Sequence, residues 1–445
     1  MSERRALLIQ PWIYDIAAYD LWIQPMGLLY LATLLEEMGF QVKYLNCLDP
    51  THESSEGKLK RMDDGRGKFY REEVEKPVIL KSIPRKYCRY GLPEDVIISE
   101  LEQVGKIDVV FITSMMTYWY PGVMRVVELC RKYKPGCPIV LGGVYATLMP
   151  EHAKETVNPD LLVEGLVEGQ IVLLLEQIYP GTCFKSELSN AYYPAWKLIK
   201  NLSYLPILTS RGCPYRCSYC ASSYFYSGFL QRDYRNVVEE LFYFYDALHF
   251  NNIVFYDDAL LVNAGNHLLR ILHEVKEKKV KFSFHSPNGL NARYINDEVA
   301  EAMFEAKFET IRISLETASD HKHELYGKKV TQKEFESAMK SLFKAGYKEG
   351  EIGVYLLGGI PGQTNEEIGE SIKFVHDNGG NAKLSLYSPI PGTRDFGRLP
   401  GRVRGQLLKE PLLQNNSIFS HYFGYLNWQE YEELKAIIEE HKKKG

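Results

Sequence analysis

Short apolar strands alternating with amphipathic helices predict an α/β fold whose sheets are parallel and covered on both faces. Two separate runs of this alternation, with a linker rich in tyrosine and proline between them, predict two such domains. The second run holds six strand–helix units in residues 203–393, a stretch of 191 residues. An eight-unit barrel takes about 250 residues, so this one scales to a partial (β/α)6 barrel with a side opening, its chemistry gathered at the strand C-terminal ends. The chain therefore divides into an open parallel-sheet domain (1–189), the linker (190–202), the partial barrel (203–393) and a small helical C-terminal region (394–445).

The first strand is Ala6-Leu7-Leu8-Ile9. The preceding Ser2-Glu3-Arg4-Arg5 faintly resembles a twin-arginine or secretory signal, but Gln10-Pro11 stops the apolar stretch well short of a signal's hydrophobic region. Residues 26–38 have helical periodicity and stop at Gly39, a natural C-terminal cap; Val42-Lys43-Tyr44-Leu45 is the second strand. Strands follow at 108–113, 138–141 and 160–163, with helices near 123–132 and 171–178. Between them, residues 50–76 carry 14 charged side chains in 27 positions, seven of each sign, which predicts a solvated insertion with no steering role. Barrel strands are expected at 204–208, 252–256, 281–284, 310–315, 352–357 and 383–387. Two barrel helices open with capping boxes, Thr331-Gln332-Lys333-Glu334 and Thr364-Asn365-Glu366-Glu367. The last helix, 428–441, runs into Lys442-Lys443-Lys444, cations that oppose its dipole.

Composition removes several classes of function. With 53 basic and 57 acidic residues the chain has no bulk electrostatic attraction for nucleic acid. No apolar run approaches the ~18 residues that cross a bilayer. Eight cysteines in 445 residues are too few and too scattered for a secreted disulfide framework, which points to a reduced, cytoplasmic protein. Cys47, Cys88, Cys130, Cys137 and Cys183 read as small hydrophobic residues. His285, His321 and His323 read as surface or structural residues.

Three cysteines are not scattered. Cys213, Cys217 and Cys220 lie in a loop directly after the first barrel strand, where spacings of four and three let the chain wrap one small inorganic core. Structural zinc wants a fourth Cys or His nearby, and the next histidine, His249, is 29 residues on. Three thiolates on a [4Fe–4S] cluster leave one iron open for chemistry. The pattern Cys-x-x-x-Cys-x-x-Cys, with an aromatic before the last cysteine, resembles the radical S-adenosylmethionine (radical SAM) superfamily. The resemblance implies that these cysteines hold the cluster, that SAM occupies the fourth iron, and that an electron from a donor such as flavodoxin or ferredoxin cleaves SAM to a 5′-deoxyadenosyl radical. It further implies cofactor-binding roles for Tyr219 near adenine, for Asp257 or Asp258 near the SAM amine, and for Ser314 and Glu316 near the ribose or methionyl group. Arg293 is similar in position to a carboxylate-reading or structural arginine, and Gly358 and Gly359 to the glycine-rich strand end that approaches adenine.

Upstream, Gly142-Gly143-Val144-Tyr145, Pro25-Met26-Gly27-Leu28 and Glu164-Gly165-Leu166-Val167-Glu168 resemble the Rossmann-like cobalamin-binding domain that precedes many radical SAM barrels. Gly142 and Gly143 would admit the nucleotide tail. The D-x-H-x-x-G signature of a lower histidine ligand is absent, since Asp49-Pro50-Thr51-His52 has the wrong spacing, so cobalamin would lack histidine coordination from that motif. Tyr118, Trp119 and Tyr120 would either pack on a corrin or fill its place. With cobalamin, the implied reaction is methyl transfer to an unactivated carbon of a small-molecule or peptide substrate. Without it, radical rearrangement, cyclisation or bond formation is open, and a non-catalytic iron–sulfur sensor is a third reading. No residue is assigned as a catalytic acid or base.

Overall fold

The structure, a computed structural model, describes residues 4–55, 59–185, 192–327 and 329–442. Ser2 and Glu3 of the leader-like start, Asn190 and Ala191 of the linker, and Lys443 and Lys444 of the basic end lie outside the described residues. The chain forms two compact units, Met1–Leu202 with Gly405–Gln414, and Ser203–Arg404 with Asn415–Gly445.

In the first unit β1 (Arg4–Gln10), α1 (Met26–Glu37), β2 (Phe40–Asn46), α2 (Glu94–Gln103), β3 (Val109–Ile112), α3 (Tyr120–Tyr133), β4 (Ile139–Leu141), α4 (Val144–Leu148), β5 (Leu161–Leu162) and α5 (Ile171–Ile178) follow in order. The strands pair in parallel as β2-β1-β3-β4-β5, so their order reverses between β1 and β3, the place where open α/β sheets bind ligands. Because strand side chains alternate, the sheet feeds two cores. Leu7, Ile9, Val110, Ile112 and Leu141 pack with α2 and α3, and Ala6, Leu8, Val109, Phe111 and Val140 pack with α1 and α5. Gly39 takes φ +85° and ends α1 as its residue type requires. Gly122 of α3 lies against Trp12, and a Cβ there would stand 2.0 Å from the Trp12 carbonyl oxygen.

The second unit strings together β6 (Tyr204–Ile207), α6 (Tyr234–Leu248), β7 (Asn252–Phe255), α7 (Leu268–Glu277), β8 (Ser283–His285), α8 (Asp297–Glu305), β9 (Phe308–Thr310), β10 (Arg312–Glu316), α9 (Gln332–Ala345), β11 (Gly353–Gly358), α10 (Asn365–Asp377) and β12 (Asn381–Leu386). All pairings are parallel, in the orders β6-β7-β8-β9 and β10-β11-β12, and a bridge from Leu290 to Ile313 links the two sheets. Since β9 and β10 are one strand interrupted at Ile311, this is a six-strand open barrel. Both capping boxes form, Thr331 with Glu334 and Thr364 with Glu367. Among the described residues no helix is long and apolar enough to cross a membrane.

Four features depart from the sequence reading. Residues 50–76 are not simply solvated: Arg71–Glu73 joins an antiparallel sheet with Cys88–Tyr90 and Ile13–Asp15, and Phe69 is buried. Several of their charges are consumed by packing and pairing, with Arg61 paired to Asp20 at 2.5 Å and the Arg66 guanidinium 4.8 Å over the Trp22 ring. Helix α2 had no sequence signal because it buries only Ile97 and Leu101. The C-terminal region is mostly helical, through α11 (Arg394–Arg398), α12 (Gly401–Lys409), α13 (Asn416–Tyr422) and α14 (Trp428–Lys442), and is not one body. Its segment Gly405–Gln414 belongs to the first unit, where Thr117 donates to the Gln414 side chain (2.5 Å) and Tyr120 donates to Glu410 (3.1 Å). Finally, Cys183 is exposed, whereas the other four isolated cysteines are buried as expected.

The close approach at Gly122 makes a direct test. Gly122→Ala should destabilise the protein by roughly 1–3 kcal/mol through overpacking, whereas Gly27→Ala in α1, with no heavy atom within 4 Å, should be neutral or stabilise by up to about 1 kcal/mol. Chemical denaturation of both variants reads the difference, and equal midpoints would contradict the packing described.

Candidate active site

The cysteine loop leaves the C-terminal end of β6 and is held from three sides. At its base, the Asp257 carboxylate, just past β7 and 2% exposed, accepts from the Thr209 backbone N–H (3.1 Å), the Thr209 hydroxyl (2.8 Å) and the Ser210 hydroxyl (2.5 Å). Burial nevertheless holds its pKa above the usual carboxylate range. A short ribbon, Ser210–Arg211 against Leu230–Gln231, continues upward, and Gly212 follows at φ +76° where a Cβ would stand 2.0 Å from the Gly228 carbonyl oxygen. From the side, buried Ser218 donates to Asp395 of α11 (2.7 Å), and the Asp395 N–H returns a bond to the Ser218 carbonyl (3.0 Å). From the far side, Gly327 brings its backbone against Cys217 at φ +111°.

The three thiols of this loop are free, Cys213 and Cys217 half-buried and Cys220 exposed. Burial pushes all three upward, Cys220 to about 11, and the Asp258 carboxylate adds to the rise at Cys213 and Cys220. The Lys329 ammonium pulls Cys213 and Cys217 the other way. Iron binds the thiolate, so the loop favours cluster formation through its donor set more than through prior ionisation. Among the described residues no three His, Cys, Asp or Glu side chains are gathered to hold a single metal ion, as a mononuclear zinc site would need.

Beside the loop, β10 ends in a bulge: its register against β11 shifts between Ser314 and Glu316, and Glu316 sits at φ +69°, a conformation few side chains adopt. The bulge brings the Glu316 carboxylate to the Ser314 and Tyr219 hydroxyls. Tyr219 also reaches Cys217, so one hydroxyl joins the cysteine loop to the strand end. Burial raises the pKa of Glu316, and Lys329 opposes that rise.

The sequence-derived candidates thus separate. Cys213, Cys217, Cys220, Tyr219, Ser314, Glu316 and Asp258 come together at the strand ends, with Asp258 exposed and accepting from Ser222 (2.6 Å). Asp257 is turned to Thr209 and Ser210 at the base of the loop, whereas Asp258 remains exposed. Tyr219 braces the loop, its ring edge-on to Tyr326 at 6.2 Å. Arg293 is taken by Glu334 (2.8 Å) and lies 6.0 Å from the Tyr215 ring, a structural pairing. At Gly358 and Gly359 the missing side chains make room for Leu384 and for Ser420 of α13, whose hydroxyl donates to the Gly359 carbonyl (2.9 Å). Asp395, Gly327 and Lys329 were missed; Ser218 and Asp395 are 177 residues apart, and no local pattern connects them.

In the first unit, Gly143 (φ +89°) supports the loop after β3, since a Cβ would stand 2.5 Å from the Ser114 carbonyl oxygen. Gly142 and Gly165, at the ends of β4 and β5, meet nothing closer than 3.9 Å and leave an open backbone edge. By contrast, the cavity at the β1/β3 reversal, lined by Trp12, Met115 and Trp119 among others, measures only about 20 Å3, room for a single water. Trp119 fixes this plug by donating to Asp15 (2.8 Å) and packs edge-on with Tyr118. His52 is turned to Ser54 (2.8 Å) and Glu100 (3.9 Å).

The sequence model of the radical SAM superfamily matches residues 207–375. The match lies within the second unit and marks residues 207–375 as a radical SAM domain, an enzyme domain whose cofactors are SAM and a [4Fe–4S] cluster. It is 26% identical to an uncharacterized methyltransferase of Pyrococcus horikoshii over 78% of each chain. It is 22% identical to the cytidylyl-2-hydroxyethylphosphonate methyltransferase of Streptomyces wedmorensis over 83% of this chain and 76% of that one. Its fold is similar to that of the radical SAM methyltransferase TsrM from Kitasatospora setae, solved with cobalamin and a [4Fe–4S] cluster: TM-score 0.63, 16% identity, covering 91% of this chain and 79% of the other.

Replacing Cys213, Cys217 and Cys220 together by alanine should abolish iron uptake on anaerobic reconstitution, read by iron and sulfide content; full retention would sink the cluster assignment. The two aspartates should part in stability. Asp257→Ala strands three buried donors and should cost about 3 kcal/mol, whereas Asp258→Ala, at an exposed position, should stay within about 0.5 kcal/mol in a denaturant titration of the apo-protein.

Proposed function

We propose that this enzyme is a cobalamin-dependent radical SAM methyltransferase that acts on an unactivated carbon. The observation that carries the reading is the pairing of two features: a three-thiol loop braced at the barrel strand ends, and a preceding parallel-sheet unit with an open glycine edge at Gly142 and Gly165. Cys213, Cys217 and Cys220 would hold the cluster, which would supply the electron for reductive cleavage of SAM and so for hydrogen abstraction from the substrate. The Asp258 carboxylate, exposed beside Cys213 and Cys220, would receive the SAM ammonium, and Glu316 would orient the remainder from the bulged end of β10. The Tyr219 hydroxyl ties Glu316 to Cys217, so the cofactor positions would be held relative to one another without relying on a mobile loop. Cobalamin, which supplies the methyl group, would rest its nucleotide tail on the Gly142 and Gly165 backbone, with no ligand from His52, which is held by Ser54 and Glu100. A low-potential donor such as flavodoxin or ferredoxin would deliver the electron.

Anaerobic reconstitution with iron, sulfide and hydroxocobalamin, followed by gel filtration and ultraviolet–visible spectroscopy, tests this reading. Stoichiometric corrin absorption should persist in the wild type and fall at least tenfold in Gly142→Leu, whose added side chain would occupy the open edge while iron content stays unchanged. Retained cluster and SAM cleavage without corrin would move the function to cobalamin-independent radical chemistry.

A further inference from the structure

A protein that carries electrons is too large to enter the barrel, so it has to deliver them where the cysteine loop meets solvent. The loop does so at Pro214 and Arg216, both exposed. Helix α11 packs beside it, held down by buried Phe396 and Leu399 and tied by the two bonds of Asp395 to Ser218, which lies between Cys217 and Cys220. Anchored in this way, α11 leaves Arg394 and Arg398 exposed, one helical turn apart.

The charge of this face is unlike that of the chain. Residues 394–404 hold four arginines and one aspartate, although acids outnumber bases by 57 to 53 in the whole sequence. Arg394 donates to the Arg216 carbonyl, which sets those two residues side by side. Arg404 donates to the Gly397 carbonyl (2.7 Å), which joins the first turn of α12, with its exposed Arg402, to the end of α11. Arg398 pairs with one oxygen of Asp395 (2.8 Å), whose other oxygen takes the Ser218 hydroxyl. Among the described residues Asp395 is the one carboxylate bonded to any of these five arginines, and a bond to a neutral carbonyl cancels no charge. The face therefore keeps a surplus of positive charge directly beside the three thiols.

We propose that Arg216, Arg394, Arg398, Arg402 and Arg404 form the docking surface for an acidic one-electron carrier protein of the flavodoxin or ferredoxin kind, whose carboxylates the guanidinium forks receive. The inference rests on the radical SAM reading, because that reading is what calls for an electron at the loop. In the transfer one electron leaves the reduced carrier, which is oxidised, and enters the cluster on Cys213, Cys217 and Cys220, which is reduced; no bond is made or broken. Opposite charge steers such an encounter and is screened by salt. The net charge of −4 opposes a long nucleic acid, whereas a compact acidic protein meets the local surplus alone.

The test uses the anaerobically reconstituted full-length protein and two probes, an acidic bacterial flavodoxin and an acidic ferredoxin. Calorimetry reads binding, and absorbance reads reduction of the cluster. At least one probe should bind the wild type, and raising salt from about 50 mM to about 500 mM should weaken that binding at least tenfold. Arg216→Glu with Arg402→Glu changes two side chains found in no ion pair among the described residues; it should weaken binding and slow reduction by the carrier at least tenfold, while iron content and reduction by dithionite stay unchanged. Arg216→Lys with Arg402→Lys keeps both charges and should bind within about threefold of the wild type. The same holds for Lys278→Glu with Lys281→Glu, beyond the C-terminal end of α7 and so at the opposite end of the barrel. Binding of neither probe, indifference to salt, equal binding to the double glutamate variant, or displacement of the carrier by a short single-stranded RNA bound to this face would overturn the assignment. SAM cleavage driven by dithionite is measured in parallel: its absence removes the radical SAM reading, whereas its presence with carrier binding that ignores the arginines removes only the docking surface.

Discussion

Asp257 accepts from the backbone and hydroxyl of Thr209 and from the hydroxyl of Ser210, and the cysteine loop is built outward from that knot. A loop carrying three thiols has no hydrophobic reason to keep one shape, so it needs fixed points. The buried carboxylate supplies the first at the end of β6, Gly212 the turn that follows, and the Ser218–Asp395 pair the lateral tie. Removing the carboxylate leaves three donors without partners in a site closed to water, which is why a residue that touches no thiol governs where the thiols stand.

The strand ends around that loop combine rigidity with local strain. The bulge at Glu316 interrupts the β10 register beside the cysteine loop, and the carboxylate it places there has hydroxyl partners in Ser314 of the same strand and Tyr219 of the loop. Lys329 acts on the same groups from the other side, lowering the pKa of Cys213, Cys217 and Glu316 against the rise that burial imposes. The first unit treats its own strand ends differently. Aromatic rings close the β1/β3 crevice, and the open edge moves to Gly142 and Gly165. A flat ligand on that edge needs backbone without side chains more than it needs a deep cavity.

The parallel sheets of both units were legible in the sequence because burial on two faces demands apolar strands, whereas the small antiparallel sheet through residues 71–73 was not. Capping boxes were legible for an equally local reason, since a span of four residues defines one. Helix α2 was not, because two buried residues do not make a period. The charges of residues 50–76 were countable but their partners were not: Asp20 meets Arg61 across 41 residues, and Trp22 meets Arg66 only once the chain has folded back.

The sequence by itself determined the alternation of the fold, the three thiols and their spacing, and the absence of a histidine at the expected cobalamin position, all of which are properties of residues close together in the chain. Only the tertiary structure decided which of two adjacent aspartates is buried, for Asp257 meets Thr209 and Ser210 while Asp258 stays exposed beside Ser222. It likewise withdrew Arg293 to Glu334 and gave the space at Gly359 to Ser420. Each of these choices is made by packing between segments far apart in sequence, where a charge or a missing side chain acquires its role from the neighbour that folding brings to it.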